Sequence, residues 1–184
     1  MENTEYLDKY EANLEKSLHD YLLAKGEVDE MRPEAPDIEA LWAPICQSYL
    51  PDGIREFEGY PAVSLGWIMF VGMAVAKLWD VNWDKYSKMD DLYLFLRDAR
   101  GYDYMDEYIC ERVLKVKGKQ AESLNKLIGD VAVMTHSALM HEGFEPSTPA
   151  AYYAYIRTLH QLYTAGAAIQ LHRMGYHMTP MSLN

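Results

Sequence analysis

Tyr153, Arg157, His160 and Thr164 follow one another at intervals of four, three and four, so on a helix they form a single polar stripe. A guanidinium, an imidazole and two hydroxyls in a row suit a small anion if the stripe faces a cavity, and are an ordinary wet helix face if it does not. Arg157 decides between the two. Residues 146–184 contain no Asp or Glu, so a buried Arg157 needs its counter-charge from another helix or from a bound anion. A carboxylate partner makes Arg157 structural, and the lack of one makes the stripe an anion receptor. His136, on the preceding helix, is the acid or base available to the stripe if it serves catalysis.

Metal-ligand spacings are missing. No Glu precedes a His by three positions, and no two His lie four apart, so neither helical pairing used by di-metal bundles or helical zinc sites occurs. His136 and His141 are five apart, about 140° around a helix. Asp103, Glu107 and Glu111 share a face, but Lys115 continues it, and a solvated, salt-bridged stripe accounts for all four. Cys46 and Cys110, the two cysteines, have no Cys or His neighbour at zinc spacing and read as buried thiols without a disulfide. The expectation is therefore no metal and no cofactor. Neither a Gly-x-Ser-x-Gly elbow nor a phosphate-cradling glycine loop is present.

Charge excludes one class of partner. With 17 Lys and Arg against 28 Asp and Glu, the net charge of −11 repels a nucleic-acid backbone. The stretch Ala62 to Trp79 is the one that resembles a membrane span, but it runs without a charged residue only to Ala76, about 15 residues where a span needs about 20. A buried core helix is expected there, with no membrane partner. The acidic, mixed start MENTEYLDKYEANLEK lacks the basic and apolar runs of a secretory signal, so a cytoplasmic location is expected.

These residues must be positioned by helices. Helix formers far outnumber Val, Ile and Thr, and no stretch alternates apolar with polar, so the chain is expected to be all-α, one domain over 1–184 with about seven helices. Leu7, Tyr10, Leu14, Leu18 and Tyr21 stripe the first helix, which Gly26 stops. A second begins near Pro36 with Ile38, Leu41, Trp42, Ile45 and Tyr49 inward, and is kinked or split at Pro44. Irregular connections are expected near 26–36, 51–60 (from the turn signal Pro51-Asp52-Gly53) and 143–148, with a short tail at 176–184.

Pro61 opens an almost wholly apolar helix to about Trp79, in which Gly72 is expected against another backbone. Asn82 caps a helix to about Ala99, Asp103 caps a shorter one ending near Gly118, and another spans Lys119 to Glu142. Thr148 and Pro149 open the last, closed by Gly175. The helices from Pro61 and Pro149 are expected at the centre. Function is expected to be that of a non-enzymatic binding or interaction protein, with a protein or small-molecule partner. The alternative is a helical-bundle enzyme or small-anion binder using the polar stripe.

Overall fold

The computed structural model describes residues 4–177, and all their regular structure is helical, with no strand among them. Eight α-helices follow in order: α1 (Thr4–Ala24), α2 (Pro36–Ala40), α3 (Trp42–Gly59), α4 (Pro61–Tyr86), α5 (Leu92–Asp98), α6 (Met105–Tyr108), α7 (Lys119–His141) and α8 (Pro149–Arg173). The part of the expected tail from 178 to 184 lies outside the described residues.

The centre is α4 crossed on α8. Leu65, Ile68, Met69, Met73 and Val75 of α4 are fully buried against Leu159, Leu162, Tyr163 and Ile169 of α8. An 18-residue window of α4 has mean hydropathy 1.6 and is long and apolar enough to cross a membrane, but 72% of it is buried inside the fold. The two helices touch backbone to backbone at Gly72 and Gly166. Around this pair, α1 lays Leu7, Tyr10, Leu14, Leu18 and Leu22 on the core, with Leu22 taking the place expected for the half-buried Tyr21.

Four expectations about element boundaries are corrected. The second expected helix is split, as Pro44 suggested, but the break falls at Leu41 and leaves Pro44 in the first turn of α3, where its missing amide proton has no helical partner to lose. Residues 51–60 are helical except for Tyr60. Tertiary contacts override the turn chemistry of Pro51-Asp52-Gly53, because Asp52 and Gly53 are both buried and bonded or packed by other helices. Asn82 does cap, accepting from the Lys85 amide at 3.2 Å, but at a kink within α4. The helix expected to reach Ala99 stops at Tyr86 and restarts at Leu92, where Asp91 accepts from the Leu94 amide (2.9 Å) and from Ser48 Oγ (2.8 Å). Finally, the segment after Gly101 is a 3-10 turn, the short α6 and a π-helical turn (Ile109–Leu114) that ends at the left-handed Lys115, before Gly118. The wide π turn directs Ile109, Cys110, Val113 and Leu114 inward together.

The core also holds a ring of hydroxyls. Tyr49 donates to the Ser64 carbonyl (2.5 Å) and lies 3.3 Å from the Tyr102 hydroxyl, Ser64 donates to the Gly53 carbonyl (2.8 Å), and Ser64 and Tyr155 share a 2.5 Å bond. Burial raises the pKa of Tyr49, Tyr93, Tyr102, Tyr155 and Tyr163, and pushes Tyr10 up to about 12. An unfolded tyrosine titrates near 10, so folding favours the neutral phenol. The resulting stability is complete below about pH 10 and is lost as pH climbs toward the folded values. Unfolding by urea is expected to need steadily less denaturant above about pH 10, with Tyr163→Phe flattening the slope. A midpoint independent of pH up to 12 contradicts this.

Candidate functional site

The stripe on α8 is real, and α1 and α2 supply its counter-charges. Arg157 bonds Asp8 of α1 and lies 3.5 Å from Glu11, whose other oxygen accepts from Gln161 at 2.9 Å. His160 bonds Glu39 at 2.5 Å and stacks on Trp42, rings 5.0 Å apart and 10° from parallel. Arg157 therefore meets the condition for a structural role, clamping α1 onto α8. Tyr153 is exposed, edge-on to Tyr152 at 5.4 Å.

His136 is not brought to the stripe. It faces Phe57 (5.7 Å), which packs on Tyr155 (5.0 Å). Tyr155 and Arg157 are two residues apart, about 200° around α8, so His136 lies on the opposite side of that helix.

Thr164, the last member of the stripe, does face a cavity. It has a volume of about 380 Å³ and lies between the end of α1, the segment 27–35, α2 and α8. Its floor is Leu22, Val28, Ile38, Tyr163 and Leu171, and the space exists because α8 presents Ala165, Ala167 and Ala168 there. Polar side chains also line it. Glu39, held by His160, lines it together with His19 and Arg32. His19 contacts the Glu30 carbonyl at 2.8 Å, and Arg32 donates to the Glu15 carbonyl at 3.1 Å, which ties the 27–35 segment, part of the cavity wall, to α1. Burial lowers the pKa of Arg32, and the neighbouring Glu15 works against that shift.

Sequence reasoning found Thr164 but missed the rest of this cavity. The available signal was the pairing of alanines on α8 with a proline-bounded loop, which periodicity treats as core and linker. The chain matches no protein-family model, no curated protein and no solved structure.

Proposed function

We propose that the chain is a non-catalytic binding protein whose ligand is a small molecule with an apolar body and one polar end, seated in the cavity under the 27–35 segment. The observation that carries this reading is that Thr164, Glu39, His19 and Arg32 line one and the same mostly apolar space. Its volume of about 380 Å³ lies at the small end of the roughly 300 to 1,000 Å³ range of ligand sites. Arg157 and His160 support the site from behind: through Glu11 and Glu39 they hold α1 and α2 against α8. The anion-receptor alternative loses its main support because the Arg157 cation already meets two carboxylates.

The test is a thermal-shift and ligand-observed NMR screen with short aryl and alkyl carboxylates and their matching amides. Wild-type protein is expected to be stabilised by at least one series, since a ligand bound only to the folded state raises its apparent stability. Ala168→Phe, which fills the cavity from the half-buried α8 wall, is expected to fold and to lose that response. If no probe stabilises the wild type, or Ala168→Phe responds as well as wild type, the reading fails.

A further inference from the structure

Two helix ends stop in the same way and lie together. After α1, Gly26 takes φ +73°, its amide donates to the Leu23 carbonyl (3.0 Å) and the Glu27 amide to Leu22 (2.9 Å). After α8, Gly175 takes φ +91°, its amide donates to His172 (3.0 Å) and the Tyr176 amide to Leu171 (3.0 Å). This paired bonding turns the chain sharply back at a helix C-terminus and needs glycine at the left-handed position. Arg173 bonds Glu27 across the two ends at 3.2 Å, and Tyr176 donates to Asp80 at 2.6 Å, so both turns are anchored.

The reversals bring three side chains together that the sequence keeps apart. His177 returns to His172, ring centroids 4.8 Å apart and perpendicular, and Asp29 arrives from the other turn. Nε2 of His172 is 3.4 Å from one Asp29 oxygen, and Nδ1 of His177 is 3.4 Å from the other. The three potential ligand atoms all lie within 4.8 Å of one another.

We propose that Asp29, His172 and His177 bind a divalent transition-metal ion of the zinc class. A gap of 3.4 Å is longer than the usual N–H to oxygen hydrogen bond, about 2.7 to 3.2 Å. Each gap is close to the edge of a tetrahedron whose metal–ligand bonds are about 2.0 to 2.1 Å, roughly 3.4 Å; the two run to different Asp29 oxygens, so small side-chain rotations bring both rings and one carboxylate oxygen onto a single ion. Two imidazoles and one carboxylate select zinc, nickel, cobalt or copper over calcium and magnesium, which take all-oxygen shells. His172 lies in the last turn of α8, whose C-terminal end carries partial negative charge, and the chain carries a net charge of −11, so a cation is favoured there. The His177 side chain is 55% exposed, which leaves water access to complete the coordination. Asp29 adjoins Val28 of the cavity floor, so the ion fastens the 27–35 segment to the end of α8.

The experiment titrates zinc into the chelator-stripped full-length protein by calorimetry and follows melting in parallel, with cobalt as a spectroscopic probe of the ligand set. One equivalent of zinc is expected to bind and raise the melting temperature, and bound cobalt to show visible d–d bands. His172→Ala, His177→Ala and Asp29→Asn each lose a ligand and are expected to weaken binding by more than the roughly 10- to 100-fold that loss of a group behind the ligands costs. Their helicity by circular dichroism is expected to match wild type, because none of the three is a core residue. His141→Ala, on α7, is expected to bind as wild type does. Absence of one-equivalent binding in the wild type, equal affinity in the three variants, or equal loss in His141→Ala overturns the proposal.

Discussion

Replacing Gly72 by alanine is expected to lower stability by about 3 kcal/mol or more, the upper end of overpacking costs. A Cβ built at Gly72 falls 2.2 Å from the Tyr163 carbonyl oxygen, and one at Gly166 falls 2.2 Å from the Met69 carbonyl oxygen. Both obstacles are backbone and cannot rotate away, so α4 and α8 must separate and loosen the fully buried layer between them. For a protein of this size the melting temperature should drop by about 10 °C, at roughly 2 to 4 °C per kcal/mol. Because the two glycines share one contact, Gly72→Ala with Gly166→Ala should cost less than the sum of the singles. Gly66→Ala meets only side chains, the Ile128 methyl at 3.3 Å and the Ala132 Cβ at 3.8 Å, and should cost far less. Gly129→Ala, with nothing within 4 Å in the middle of α7, should stabilise by about 0.5 to 1 kcal/mol. A Gly72→Ala protein that melts with the wild type contradicts the backbone crossing of α4 and α8.

Asp52→Ala is expected to cost about 3 kcal/mol in urea unfolding. The buried Asp52 carboxylate accepts from Tyr93 at 2.6 Å and Arg97 at 3.1 Å through one oxygen, and from Arg55 at 3.2 Å through the other. Truncation strands the fully buried Tyr93 hydroxyl and half-buried Arg97, whose remaining partner is the exposed Asp98. The cost falls near the lower end for buried pairs because Arg97 is 31% exposed and solvent screens part of its charge. Arg55→Ala should change little, since that side chain is 71% exposed. A loss below about 0.5 kcal/mol for Asp52→Ala, the size of an ordinary surface change, shows that the carboxylate does not hold α3 to α5.

Local patterning carried much of the architecture. The 3.6-residue stripe of α1, the all-round apolar α4, and Thr148 accepting from the Ala151 amide (3.2 Å) ahead of Pro149 were all legible, because each depends on residues within one or two turns. So was the stop at Gly26 and Gly175, where a left-handed residue is required. The 51–60 stretch was not legible as helix. Its Pro and Gly favour a turn locally, and only the pull of Tyr93 and Arg97 on Asp52, from some forty residues away, and the close approach of Tyr155 to Gly53 keep α3 continuous.

The sites divide along the same line. Sequence by itself determined that Tyr153, Arg157, His160 and Thr164 share a helix face and that Arg157 has no acid nearby on its own helix, since helical periodicity and composition are properties of adjacent residues. Only the tertiary structure decided that Asp8 and Glu11 take up Arg157, that Thr164 opens on the cavity beside α2, and that Asp29 stands beside His172 and His177. Those meetings join positions more than a hundred residues apart, through two chain reversals and one helix crossing, and the distance between such side chains is set by packing that no local spacing encodes.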